Sequence, residues 1–322
     1  MGDGVRILRQ ADVRSALDMA SCIAACRDAF VSYSDGRAEL PGVIHLEVPE
    51  SRGEVHVKAG HLYGAPFYAV KAASGFYAAD PAAIDGLVVV FDTRDGSPAA
   101  ILLDGGFVTD QRTGAAGGVV ASELAPRRVE TVGVIGTGIQ ARRQIEALAV
   151  VRPGLEEIRV WGRDDDRARR CVDDLRGPAA EGCTVTVAGS AREAVDGAQV
   201  IITCTAAREP LIDLSWLSPG VHVTAVGSDG EGKQELDPEI LRRAHVLAVD
   251  SRDQCLRLGE LQHAPDQAPR AVELGDVIAG RARGRRGEGE LTVCDLTGVG
   301  VQDVAAANVV MARAGGGETF VL

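Results

Sequence analysis

Long apolar runs are missing from this chain of 322 residues. No stretch reaches the roughly 18 apolar residues of a bilayer-spanning helix, so no membrane span is expected. The opening, MGDGVRILRQADVRSAL, holds no apolar core of the kind a secretory signal peptide carries. Paired cysteine motifs are missing too. Cys22, Cys26, Cys171, Cys183, Cys204, Cys255 and Cys294 are odd in number and form no CxxC. They read as reduced thiols in a cytoplasmic protein. Positive charge is scarce: 34 Lys and Arg stand against 46 Asp and Glu, for a net charge of −12. Nucleic-acid binding needs a basic face, so neither nucleic acid nor an anionic membrane surface is an expected partner. Repeats at solenoid periods are absent. The six histidines show no metal-ligand spacing. His56 and His61 flank Lys58, but two imidazoles alone are a weak signal, and no metal is expected.

What remains is an ordinary globular composition, 46% apolar and 25% charged, with length for about two domains. Residues 12–36 place Val13, Leu17, Ala20, Ile23, Ala24 and Phe30 at helical spacing, ending near Gly36. VIHLEVP, EVHVKAG and FYAVKAASGFY then read as strands cut by Gly and Pro. LVVVFDTRDGSPAAILL reads as a hairpin about an Asp-Gly turn. From about residue 116 the rhythm changes. A helix of small residues, AAGGVVASEL, leads into TVGVIGTG, and the helical IQARRQIEALAVV follows. IRVWG, DDDRARRCVDDL, TVTVA, AREAVDG and QVIITCT continue the alternation, with VHVTAVGSDG and HVLAVD as further strands. Strand alternating with helix predicts an α/β fold with a doubly wound parallel sheet. GRARGRRGEGE reads as an exposed loop, and the final apolar helix in DLTGVGVQDVAAANVVMARA is expected to return to the first domain.

VGVIGTGIQA carries the dinucleotide fingerprint G-x-G-x-x-A at Gly136, Gly138 and Ala141. The first glycine makes the tight turn, the second admits a pyrophosphate, and the third small residue lets helix pack on strand. Free N–H groups at the helix start favour that anion. The motif ends an apolar strand and opens a helix, the context that separates it from a chance glycine turn. At the end of the next strand, IRVWGRDDD offers two cofactors. Arg163 suits the 2′-phosphate of NADP(H), whereas Asp164 suits the ribose hydroxyls of NAD(H). The reading leans to NADP(H).

AVKAASGFY, VTDQRTGAAGG, VIGTGIQARRQ, IITCTAAREPL, VTAVGSDGEGKQELD, LGELQHA and CDLTGVGVQD together resemble the ornithine cyclodeaminase/mu-crystallin family over nearly the full length. The resemblance implies a Rossmann dinucleotide-binding domain over residues 116–302. It also implies an α+β substrate-binding and dimerisation domain over 1–115 with 303–322, and hence a homodimer. It implies an α-imino or α-amino acid substrate and a nicotinamide cofactor. In that family's pattern Lys71 faces the substrate as acid or base, and Arg112 holds its carboxylate near the cofactor. Asp229 stands next to the substrate nitrogen. Ile139 and Gln140 lie over the pyrophosphate, and Thr205, Ala225, Val226 and Gly227 line the cofactor. The chain departs from the pattern once. Where many members carry a second carboxylate-binding arginine in P-x-R, LPGVIHL has Val43. Lys58 in EVHVKAG is the candidate replacement; the alternative is a solvated lysine.

The residue types suit imine reduction. An arginine fixes a carboxylate by directional hydrogen bonds. A carboxylate such as Asp229 stabilises an iminium. A partly desolvated lysine among cations has a lowered pKa and can move the proton. Each residue also has a plain structural reading: Lys71 at a strand edge, Asp229 in an SDG turn, Arg112 on the pyrophosphate alone. The expected activity is an NAD(P)-dependent ketimine reductase or amino-acid dehydrogenase. A cyclodeaminase with no net redox change is the alternative, and a non-catalytic dinucleotide-binding protein is a third reading.

Overall fold

The computed structural model describes residues 4–76, 83–177 and 182–320. Tyr77, at the end of the FYAVKAASGFY segment, lies outside them. The chain forms two compact units, Met1–Arg112 with Val299–Leu322, and Thr113–Gly298.

The first unit is built on a mixed sheet. Strands Gly53–Leu62, Phe67–Phe76, Ala83–Asp92 and Pro98–Leu103 form an antiparallel meander, with Ile44–Val48 on Gly53–Leu62. Val5–Arg9 joins the far side in parallel to Pro98–Leu103. Alternation decides the faces. Lys58, Ala69, Lys71, Val88, Val90 and Leu102 are buried on one face, where the helix Gly300–Arg313 packs on the strands of Lys58 and Lys71. Ile44, Leu46, Leu87 and Leu103 point the other way and stay exposed. The single helix expected over 12–36 is two, Gln10–Ala16 and Met19–Ser34. Asp18 breaks it, because its carboxylate accepts from Ser21 N (2.8 Å) and caps the second helix.

The second unit holds an eight-stranded sheet in the order Thr184–Val187, Glu157–Trp161, Thr131–Ile135, Val200–Thr203, His222–Ala225, Thr292–Asp295, Val246–Val249, Val272–Glu273. Every neighbouring pair is parallel. The strand order reverses between Thr131–Ile135 and Val200–Thr203, the point at which open α/β sheets bind their ligands. Ile139–Val151 forms the helix expected after the fingerprint. Thr292–Asp295 was not expected as a strand; it slots between His222–Ala225 and Val246–Val249, strands that precede it in the chain. The helix of small residues starts earlier than AAGGVVASEL, at Phe107. GRARGRRGEGE is irregular, but Arg285 within it is part-buried and donates to Thr292 Oγ1 (2.9 Å).

Candidate functional site

In the first unit, the sheet register sets Lys58 directly opposite Lys71 on neighbouring strands. Both are buried, with exposures of 8% and 3%. Arg112, in the helix Phe107–Leu124, is buried as well. Cations at such depth need an anion, and the chain supplies one from its last helix. Asp303 Oδ1 accepts from Lys71 Nζ (3.0 Å) and from Arg112 Nε (2.9 Å). Gln302 Oε1 accepts from Arg112 Nη1 (3.2 Å) and from Val299 N (2.9 Å), tying the arginine to the helix start. Lys58, Lys71 and Arg112, three of the predicted residues, thus meet in one buried cluster.

The electrostatics follow from this crowding. Burial pulls the Lys71 ammonium down to about 7, and Arg112 and Lys58 push the same way against the pull of Asp303. Burial alone would raise the Asp303 carboxyl, but Arg112, Lys71 and Lys58 outweigh it and hold it below its ordinary value. Asp104, beyond the cluster, is raised to about 6 by burial, with its Oδ2 accepting from Val108 N. Near neutral pH Lys71 therefore sits where it can both give and take a proton.

In the second unit, Gly136 has φ +133°, a conformation that an L side chain rarely adopts, and a Cβ there would lie 2.6 Å from Cys204 O. Gly138 is the N-cap of Ile139–Val151, and a Cβ on it would meet no protein atom within 4 Å. Its lack of a side chain is therefore not demanded by packing of the chain itself. Ile139 and Gln140 form the first turn, and Ala141 is fully buried. Arg163 and Asp164 are exposed beyond Glu157–Trp161. Asp164 Oδ1 caps the next helix by accepting from Arg167 N (2.9 Å). A hollow of about 390 Å³ is lined by Thr137, Arg142, Arg167, Arg170, Asp173 and Asp174. Ala225 and Val226 are buried, with Gly227 just beyond the strand. Asp229 also belongs to this unit and pairs with Lys233 Nζ (2.7 Å).

Three residues in these arrangements escaped sequence reasoning. Asp303 and Gln302 were in view within CDLTGVGVQD, but only the fold shows what they bind. The third is Glu235, fully buried, whose oxygens accept from Thr205 N (2.6 Å) and Gly227 N (2.8 Å) and clasp the two loops. Burial raises its carboxyl to about 7. Below it, Glu260 accepts from Glu235 N (2.7 Å) and Leu236 N (3.2 Å). Asp229, in its SDG turn, is by contrast a part-exposed acid whose partner Lys233 is the more buried of the two.

The profile of the ornithine cyclodeaminase/mu-crystallin family matches residues 5–318. An uncharacterized cyclodeaminase of Sinorhizobium fredii is 38% identical over 320 residues, covering 96% of each chain. An archaeal alanine dehydrogenase dimer with bound NAD is similar at a TM-score of 0.88 and 32% identity, over 98% of this chain and 99% of that one. The Δ1-pyrroline-2-carboxylate reductase of Thermococcus litoralis, in complex with NADH and L-proline, is similar at a TM-score of 0.89 and 27% identity, over 96% and 97%.

Proposed function

Because the chain belongs to the ornithine cyclodeaminase/mu-crystallin family, we propose that it is a nicotinamide-dependent oxidoreductase that interconverts an α-imino acid and the matching α-amino acid. The observation that carries this reading is the buried pair Lys71–Arg112 on one oxygen of Asp303, beside Lys58. Two neighbours by structure are an alanine dehydrogenase and a Δ1-pyrroline-2-carboxylate reductase.

The residues divide the work. Arg112 has its Nε and Nη1 engaged by Asp303 and Gln302, which fixes the guanidinium plane so that its remaining edge can take a substrate carboxylate. Lys58 adds a second positive group to that side, in place of the arginine that Val43 removes. Lys71, drawn down to about 7, protonates the imine nitrogen in reduction or accepts the proton in oxidation. Asp229 is assigned to the substrate nitrogen, where a carboxylate stabilises an iminium. The second unit holds the cofactor. Gly136, Gly138, Ile139, Gln140 and Ala141 take the pyrophosphate at a helix start, and Thr205, Ala225, Val226 and Gly227 take the nicotinamide end. The residues fit that group: a turn only glycine tolerates, open space over Gly138, and N–H groups at the start of Ile139–Val151. The cofactor supplies or accepts the hydride.

The test is oxidation of NADPH and of NADH at 340 nm against α-keto acids with ammonia or methylamine, cyclic ketimines and iminosuccinate, with ammonia release from L-ornithine followed in parallel. Cofactor oxidation with one of the first set is the expected result. Ammonia and proline from ornithine without net cofactor change would make the chain a cyclodeaminase. We assign NADP(H) as the preferred cofactor, because Asp164 is engaged as a helix cap while Arg163 is exposed just beyond the strand end. Replacing Arg163 by Ser should then raise the KM for NADPH ten- to a hundredfold, the worth of about 1.5–3 kcal/mol for a hydrogen bond to a charged group, with little change for NADH. Equal loss with both cofactors would count against the assignment.

The exposed face carrying Ile44, Leu46, Leu87 and Leu103 is assigned to a second copy of the chain, as an apolar patch of this kind favours association. Leu46→Glu combined with Leu87→Glu should convert a dimer to a monomer by light scattering after size exclusion. A wild-type chain that elutes as a monomer would remove the dimer.

A further inference from the structure

We propose that His45, Glu54 and His56 form a binding site for a divalent transition-metal ion of the zinc class. His45 and His56 stand directly opposite each other in the antiparallel pair of Ile44–Val48 and Gly53–Leu62. Their rings stack with centroids 4.7 Å apart and planes inclined by 16°. Glu54, two residues before His56, shares that face. Its Oε2 lies 3.9 Å from His45 Nε2 and its Oε1 lies 3.7 Å from His56 Nε2. These gaps exceed the roughly 2.7–3.2 Å of a hydrogen bond. They approach the spacing of donors about a shared ion, where bonds of ~2.0–2.2 Å at tetrahedral angles set donor atoms ~3.3 Å apart. One donor atom from each of the three lies within 4.8 Å of the others. Small side-chain rotations close the set.

The chemistry of the donors is specific. Two imidazoles and one carboxylate are a set that zinc takes, with a fourth position left for water or an anion. A hard ion such as magnesium prefers oxygen donors. A second observation comes from the next rung of the ladder, where Glu47 stands directly opposite Glu54. Like charges in that position destabilise a strand pair. Arg52, at the turn, lines the hollow beside both carboxylates and offsets part of their charge; an ion held by Glu54 would offset more. Lys58 follows His56 by two residues on the same face, so the ion extends the positive field of the buried cations out to the half-exposed rung.

The test uses the full chain stripped with a chelator and titrated with Zn²⁺ against a chromophoric competitor, after its thiols have been alkylated. One ion per chain is expected. His45→Ala and His56→Ala should each weaken binding by at least ~tenfold, the lower end of what altering a metal site's ligand environment costs, and Glu54→Gln should do so too. The side chain of His45 is 43% exposed, so its loss leaves folding intact. Co²⁺ in place of Zn²⁺ should give the visible absorption of a tetrahedral site, absent in His45→Ala. No stoichiometric uptake, or uptake equal in wild type and both histidine variants, would overturn the proposal. Neither readout depends on turnover.

Discussion

Replacing Lys71 by Met is expected to lower turnover at least ~100-fold and to leave cofactor binding intact, the scale that a positioned acid or base contributes. Methionine keeps the length of the side chain in a place that is 3% exposed, and Arg112 stays on Asp303 to compensate its charge, so the sheet should tolerate it. The expected sign of the pH profile follows from a lysine drawn down to about 7 by burial and by Arg112 and Lys58. Imine reduction needs the ammonium, so kcat should fall as pH rises through about 7. Amino-acid oxidation needs the free amine, so its rate should rise over the same range. Stability is linked with a definite sign. An unfolded lysine keeps its proton up to about pH 10.4, so between about 7 and that value the unfolded chain binds more protons, and stability attributable to Lys71 rises with pH. The variant should lose both dependences. Near-normal rates in Lys71→Met would remove the residue from the chemistry.

The second large effect belongs to Asp303, and it should appear in stability before catalysis. Asp303→Asn keeps the shape but removes the charge that Lys71 and Arg112 share at 3.0 and 2.9 Å. Breaking a buried ion pair from one side costs about 3–5 kcal/mol, because the orphaned cations remain buried. The urea midpoint should fall accordingly. Lys71 has its main upward influence in Asp303, so its titration should move to lower pH in Asp303→Asn. Asp303→Glu should restore stability in part and, with it, the position of the profile. A midpoint within about 0.5 kcal/mol of wild type, the range of an inert surface change, would show that the pair contributes nothing. A profile that stays in place would show that Asp303 does not act through Lys71.

The contrast between these two residues shows what a linear reading reaches. The parallel sheet was legible because its signals are local: an apolar run, a glycine turn and a helical period within about 20 residues. Lys71 and Arg112 were legible because each sits in a distinctive short segment. Asp303 was not, since its bonds to them span 232 and 191 residues, and nothing in GVGVQD states which strand the helix will lie on. Thr292–Asp295 escaped for a related reason: it is inserted between two earlier strands, and insertion order has no local signature. Asp18 shows the smaller failure. A helical period of apolar residues ran across it, and one capping carboxylate broke the helix where the period did not. The histidines teach the same lesson for ligand sets. Spacing along the chain brings His56 near His61, but strand register brings it against His45.

The return of the last helix to the first unit has a consequence for how the polypeptide is made. Lys71 and Arg112 leave the ribosome long before Asp303, because all of Thr113–Gly298 is translated in between. During that interval the nascent first unit holds cations whose interior counter-ion has not yet been synthesised, and it cannot close over them at acceptable cost. The middle unit, whose parallel sheet draws only on its own residues, has no such debt. Closure of the first unit over these cations therefore waits on the emergence of residue 303.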